Sequence, residues 1–450
     1  MPKKKTALTI EERLQQALVP AEEQPYEVPE NWVWVRLGAI AEIVTGGTPS
    51  KKHPEYYGGN FPFYKPSDLD QGRLTYDASE YLSEEGKNVS RIIPKNSTAV
   101  CCIGSIGKCG YLMCEGTTNQ QINSAIPKIN SLCLYYYLCT ENFVQDLLSM
   151  ASATTIAIVN KSKMESCAFP LPPLSEQQRI VERIEELLAK LDEAKERLQE
   201  VADSFAVRKA AILHKAFTGE LTKQWRRENG VSDESWEESN FGKFTVSQYG
   251  YTEKAHWEKV GPKFLRITDI QDNKVDWDEV PWCPIDEAGM KQYAVQIGDI
   301  MIARTGATTG KSYLICDDVE AVFASFLIRL KVVDKNLDYN YLYGYMQSED
   351  YWRQITDFSS GIAQPGVNAN KLKQIKFKCP SLPEQHEIVR LIDDLLARER
   401  AAQQAAEQAL ASIDLMKKSI LARAFRGELG TNKASEASAL ELLKQVLAEN

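Results

Sequence analysis

The chain has 450 residues, 43% hydrophobic and 26% charged, the balance of an ordinary water-soluble protein with room for two or three domains. Its formal net charge of −9 argues against strong, autonomous nucleic-acid binding, so any nucleic acid must be held by local patches or by partners that supply positive charge. The longest apolar run, Leu132 to Cys139, is too short to cross a bilayer, and ten scattered cysteines without a C-x-x-C pair fit reduced thiols in a cytoplasmic protein better than a zinc site.

Taken in order, residues 1–25 read as an N-terminal helical arm. A basic tip at Pro2 to Lys5 precedes a short helix over Thr9 to Leu18, opened by a Thr9/Glu12 capping box. Pro20, Pro25 and Pro29 then mark an extended link. Residues 26–173 form the first globular stretch, which opens on the alternating strand Trp32 to Leu37 and the turn Gly46-Gly47-Thr48-Pro49-Ser50. Residues 174–224 read as one long helix, 225–378 as a second globular stretch and 379–430 as a second long helix. A tail, 431–450, ends in a short helix over roughly Glu436 to Ala448 with an apolar stripe at Leu440, Leu443, Val446 and Leu447.

The two helical stretches are copies. Leu174 to Leu221 aligns without a gap on Leu382 to Leu429, an offset of 382 − 174 = 208, and 19 of the 48 positions are identical by direct count. Apolar residues at Ile184, Leu187, Leu191, Leu198, Val201 and Phe205 follow the alternating three- and four-residue steps of a coiled coil. The second copy keeps the frame at Ile392, Leu395, Ala402, Ala406, Ala409 and Ile413. Bulky residues in one copy face alanines in the other, so the copies are expected to pair. A compact domain returns its chain near where it left, which makes the pair antiparallel. Ser175 with Gln178, and Ser381 with Glu384, have the spacing of capping boxes at the two helix starts.

The globular stretches match more weakly. Tyr64 to Leu69 resembles Leu265 to Ile270, and the turn Gly104-Ser105-Ile106-Gly107-Lys108 resembles Gly306-Ala307-Thr308-Thr309-Gly310-Lys311. Short helices are expected at Leu134 to Leu148 and Tyr339 to Gln354. The expected fold is α+β: two similar strand-rich domains held apart by two long helices paired as an antiparallel coiled coil, the whole a tandem duplication with pseudo-twofold symmetry.

No catalytic constellation is evident. The second glycine turn has three residues between its glycines where a phosphate-binding Walker loop needs four. The four histidines form no metal motif, and no methyltransferase or hydrolase signature is present. The glycine turns read as bends between strands, or as loops whose amides, with Lys108 or Lys311, approach a DNA phosphate.

The chain resembles the specificity (S) subunits of Type I DNA restriction–modification enzymes. The carriers are Pro29-Glu30-Asn31-Trp32, Val35-Arg36-Leu37-Gly38, the turn Gly46 to Ser50, and Pro170-Leu171-Pro172-Pro173-Leu174-Ser175-Glu176-Gln177 with its echo at Pro380 to Gln385. Ala216-Phe217-Thr218-Gly219-Glu220-Leu221 and Ala424-Phe425-Arg426-Gly427-Glu428-Leu429 add to them. The second copy departs where Pro380-Ser381-Leu382 replaces the double proline. The resemblance implies two target-recognition domains, each reading half of a bipartite double-stranded DNA target, and helices that set the spacer and bind two methyltransferase (M) subunits. It also implies restriction/translocase (R) subunits joined through the complex. No cofactor is expected on this chain; the partners are expected to use S-adenosylmethionine, ATP and Mg. Candidate DNA-contacting residues, chosen by loop position and side-chain chemistry, are Lys51, Lys52, Lys65, Ser67, Arg91 and Lys108, then Arg266, Thr268, Arg304 and Lys311. The alternatives are a DNA-reading subunit of a related methylation or phage-defence system, and a coiled-coil scaffold with no DNA role.

Overall fold

A computed structural model describes residues 9–151, 157–271, 273–359 and 366–449; the basic tip at 2–5 and Asp272 lie outside them. The chain divides into two units, Met1–Leu198 with Gln408–Asn450, and Gln199–Glu407. The division cuts both long helices near their middles.

In the first unit, the alternating pattern after Trp32 forms the strand Val33–Arg36, which pairs antiparallel with Ala168–Leu171. Val35 and Phe169 are fully buried there, and Trp34 is buried on the opposite face, so both faces of the pair are covered. The main sheet has the order Ala41–Thr45, Ile122–Pro127, Thr98–Cys101, Cys109–Tyr111, all antiparallel. A smaller sheet sets Tyr57–Tyr64 between Glu80–Leu82 and, in parallel, Thr117–Thr118. The helix Ile10–Ala17 has the expected capping box, Thr9 Oγ accepting from the Glu12 amide at 3.2 Å while Glu12 accepts from the Thr9 amide at 2.8 Å. The tail helix Ala439–Ala448 packs its apolar stripe beside it, and Arg13 donates to the Leu447 carbonyl at 3.2 Å.

The second unit repeats this plan. Its main sheet runs Thr245–Tyr249, Leu327–Val332, Ile300–Ala303, Ser312–Leu314, again antiparallel throughout. Glu237–Asn240 pairs with Lys376–Cys379, and Lys263–Leu265 runs parallel to Ala321–Phe323. The duplication read in the helices therefore extends to strand order and direction.

Both helices expected in the globular stretches are broken in two. Ser131–Leu138 stops and Glu141–Met150 restarts on Thr140, whose hydroxyl accepts from the Phe143 amide. Tyr339–Tyr345 and Glu349–Ser359 do the same at Ser348, 208 residues on. Each hydroxyl captures an amide and starts a new helix within a short polar run, Thr140-Glu141-Asn142 or Gln347-Ser348-Glu349-Asp350.

Within each unit the long helices run antiparallel. In the first unit Lys417 pairs with Asp192, and Lys195 with Asp414 at 4.0 Å, so the partner number falls as the helix number rises. In the second, Arg208 pairs with Glu399 at 2.5 Å, and Leu213 and Phe217 share a core with Ile388 and Ile392. The second long helix is continuous over Leu382–Ala424. The first is not: Leu174–Asp203 and Phe205–Phe217 are separated at Ser204. The Ser204 hydroxyl donates to the Val201 carbonyl three residues back, whereas the equivalent Ser412 reaches four back, to Gln408, within an intact helix.

The seam is also narrower than its pattern. Ile184, Ile392, Ala406 and Ile413 are buried, and Leu187, Leu191, Leu198, Phe205, Leu395 and Ala409 are half-buried. Val201 and Ala402 face solvent, contrary to the expectation. A straight helix drifts by ~20° per heptad against a 3.5-residue repeat, and the break at Ser204 turns the face further. Beyond it the buried positions are Leu213, Ala216 and Phe217.

Candidate functional site

The candidate DNA-contacting residues fall into two sets per unit. In the first unit Gly46 follows the strand Ala41–Thr45 so closely that a Cβ there would lie 2.2 Å from the Asn119 carbonyl oxygen. Only glycine fits that approach. The turn it permits carries Lys51 and Lys52, both exposed and in no ion pair among the described residues. Arg91 is exposed beside the same strand end and donates to the Thr45 carbonyl at 2.6 Å. The counterpart in the second unit is Gly250, where a Cβ would lie 2.3 Å from the Ala324 carbonyl oxygen. There Arg304 stacks on Tyr249 at 5.1 Å and donates to the Ser325 carbonyl at 3.2 Å. Phe326 beside it is 60% exposed. Sequence reasoning passed over it; a large aromatic at a strand turn, one step out of the buried alternation of Leu327 to Leu330, is the signal that marks it.

The other set surrounds a tight turn. Asp68 accepts from the Lys65 amide at 2.7 Å, and Asp269 from the Arg266 amide at 2.8 Å, so the two units build this turn alike. Ser67 and Thr268 are exposed on it. Lys65 pairs with Glu80 at 2.8 Å; Arg266 is held by both oxygens of Asp269 and lies over Trp257 at 5.5 Å. The glycine-turn lysines reach the same place. Lys108 pairs with Asp70 at 2.6 Å, and Lys311 donates to the Ile270 carbonyl at 3.4 Å. These cations are only partly exposed, 36% for the Lys65 side chain, 26% for Lys108 and 30% for Arg266. The glycine turns themselves are bends with positive φ at Gly104, Gly107, Gly306 and Gly310.

Where the capping boxes were expected, the structure places something else. The first long helix begins at Leu174, so Ser175 lies inside it and not at its cap, and the Glu176 and Gln177 amides donate to the Pro173 carbonyl. Gln178 turns to Asn130 and Glu182. Glu176 is fully buried and accepts from Trp32 Nε1 at 2.7 Å, Asn432 Nδ2 at 2.8 Å and Thr431 Oγ1 at 3.2 Å. Glu384, its repeat, is equally buried. It accepts from Thr222 Oγ1 and from Arg226 Nη1, each at 2.7 Å, and so is not spent on Ser381. Gln177 and Gln385 are buried too. Each donates to a proline carbonyl, Pro172 or Pro380, and accepts a backbone amide, Asn130 at 3.0 Å or Asp338 at 2.8 Å. The Glu-Gln pair thus ties each long-helix start to its globular domain and to the segment following the other helix. Spacing pointed to a local cap because the true partners lie 144 to 256 residues away in sequence.

The family model for the Type I restriction modification DNA specificity domain matches residues 29–203 and again 235–409. The chain is similar to the specificity subunit of the Type I restriction enzyme EcoBI of Escherichia coli, 27% identical with 94% of this chain and 93% of that one covered. It is similar to the EcoKI specificity subunit of Escherichia coli K12 at 24%, covering 94% and 96%. Among solved structures, the HsdS subunit from Thermoanaerobacter tengcongensis superposes with a TM-score of 0.66 at 19% identity, covering 90% of this chain and 99% of that one.

Proposed function

The chain belongs to the Type I restriction modification DNA specificity family, as a specificity subunit with two target-recognition domains, and from that premise we propose how it works. Residues 26–173 read one half of a bipartite duplex target and residues 225–378 the other. The paired helices fix the spacer between the halves and bind two methyltransferase subunits, with restriction subunits joining through the complex. This chain is the reader and scaffold. Methyl transfer with S-adenosylmethionine, and ATP- and Mg-dependent translocation and cleavage, belong to the partners, and the assembly works in the cytoplasm. Among the described residues no helix is long and apolar enough to cross a membrane.

The observation that carries this reading is the repetition of one domain topology, each copy leading into a long helical stretch, broken at Ser204 in the first copy and continuous in the second. Lys51, Lys52, Lys65, Ser67, Arg91 and Lys108 contact DNA in one domain, and Arg266, Thr268, Arg304 and Lys311 in the other. Two copies of a fold on one chain give two half-site readers, and the local cations answer the unfavourable net charge. Replacing residues 26–173 by the first domain of another family member tests it. Methylation-site mapping should then show one half of the target changed and the other kept. A change in both halves, or in neither, overturns it.

A further inference from the structure

The duplication allows the ends of the two long helices to be compared position by position. In the first unit the arm crosses a groove bounded by the last turns of the second long helix, the helix Glu141–Met150 and the strand Ala168–Leu171. Tyr26 fills it. Its ring meets Trp34 edge-on at 4.9 Å, Arg426 lies over it at 5.4 Å, and Asn142 hydrogen-bonds its hydroxyl. Burial holds the phenol above its ordinary pKa. At the groove's edge Lys418 pairs with Glu141 at 2.8 Å.

The second unit has the same floor. Phe217 and Tyr345 meet at 5.5 Å as Phe425 and Tyr137 do at 5.1 Å, and both tyrosines donate at 2.7 Å to the equivalent strand carbonyl, Lys376 or Ala168. Among the described residues no arm of the second unit crosses it. The chain passes from the helix Lys223–Glu228 to the strand Glu237–Asn240 on the clamp side, where Trp236 lies by Arg226. An open groove of about 770 Å³ is left over Leu213, Phe217 and Phe377.

Its rim carries both signs, Glu238, Glu349, Asp350 and Asp357 among Arg353, Lys376, Lys378 and His214, but it has lost the two cations that the long helix supplies in the first unit. Where Tyr26 meets Trp34, Arg426 and Asn142, the equivalent positions are Glu238, Thr218 and Asp350. Lys418 is replaced by Ala210, so Glu349, the repeat of Glu141, has lost the cation of the long helix. Arg353 and Lys376 are already tied to Asp350 and Glu238. The floor matches the one that holds an aromatic ring in the first unit, and Glu349 is the rim carboxylate without the long-helix cation of its counterpart.

We infer that this groove is a docking site for an extended segment of a partner polypeptide, carrying an aromatic side chain next to a Lys or Arg. The ring takes the place that Tyr26 holds in the first unit, and the cation answers Glu349. The inference rests on the chain working within an assembly. Because the arm serves only one unit, two identical partners would meet unlike surfaces on this chain.

The test uses the complex purified with its own partner subunits, with the photo-crosslinking residue p-benzoylphenylalanine at Thr218. Crosslinks should map to one partner peptide that contains an aromatic beside Lys or Arg. Crosslinks confined to this chain or to DNA, or none at all, overturn the inference, as does a partner peptide lacking those residues. Restoring the first unit's cations with Ala210→Lys and Thr218→Arg should weaken partner binding by roughly tenfold or more, through like charge against the incoming cation. Undiminished affinity of that double variant sinks the groove and leaves the DNA-reading proposal standing. A chain that joins no methyltransferase subunit at all counts against the proposed function itself.

Discussion

Glu176 and Glu384 occupy the same place in the two copies, and both are fully buried, yet their donors differ in kind. Glu176 is held by an indole, an amide and a hydroxyl, all neutral. Glu384 is held by a hydroxyl and the buried guanidinium of Arg226, which also bonds Asp233 and the Gly219 carbonyl. The indole equivalent to Trp32 is Trp236, and neither its Nε1 nor Glu384 Oε2 finds a hydrogen-bond partner. What the duplication kept is the buried acceptor, with a threonine hydroxyl from beyond the other helix, Thr431 or Thr222. The remaining donors changed, and in the second copy they gather on Oε1 alone. One copy has become a hydrogen-bonded clamp and the other an ion pair.

That contrast can be broken most severely at Arg226. Arg226→Met leaves the Glu384 carboxylate buried without its cation and should cost about 3–5 kcal/mol, because an uncompensated buried charge is worse than no pair. Unfolding in urea, with hydrogen exchange of the amides around 222–240 as the local reporter, should register it while exchange around 29–36 stays unchanged. Equal loosening in both regions would show that the clamps are not independent.

Removing the charge of each glutamate sharpens the comparison. Glu384→Gln strips the guanidinium of its buried carboxylate and should cost about 1–3 kcal/mol. Glu176→Gln should cost less than about 1 kcal/mol, since an amide oxygen can serve Trp32 and Asn432 while its NH₂ donates to the Thr431 hydroxyl. If the two variants unfold alike, the neutral-versus-ionic distinction fails. Trp32→Phe removes one donor from an acceptor that keeps two others, with an expected loss of about 1 kcal/mol by thermal unfolding. The smallest effect belongs to Ser204→Ala. Without the hydroxyl that draws the Val201 carbonyl, the first long helix should gain slightly in ellipticity at 222 nm, at a stability change within about 0.5 kcal/mol. A marked loss of helix there would mean that the break relieves a strain.

The long helices, their antiparallel pairing and the duplication were legible in the sequence because a repeated apolar frame carries long-range information. The strand Val33 to Arg36 was legible from its sequence pattern, although Trp34 and Val35 bury both of its faces. The breaks at Thr140 and Ser348 were passed over although the signal is local: each capping hydroxyl sits in a short polar run with a carboxylate directly after it. The Glu-Gln pairs were visible as residues but misread in role. Ser381 and Glu384 have a capping box's spacing, and nothing local reveals that Arg226 lies waiting 158 positions earlier. Tyr26 looked like part of a proline-marked link; its place in a groove depends on Arg426, at the far end of the chain. Loop cations such as Lys51 and Arg304 were picked out by position and chemistry, and no intrachain pattern encodes a contact to a base.

The clamp around Glu176 also sets an order of events during synthesis. The second unit is one unbroken stretch, Gln199–Glu407, and can close as soon as that stretch has left the ribosome. The first unit starts earlier and finishes later, since Thr431 and Asn432 must emerge before Glu176 has its full set of donors. At about 5–20 residues per second, that interval is roughly 10–50 s. For that time the nascent chain carries a buried-type carboxylate with most of its partners still unmade, and a truncation near residue 430 would leave it so for good.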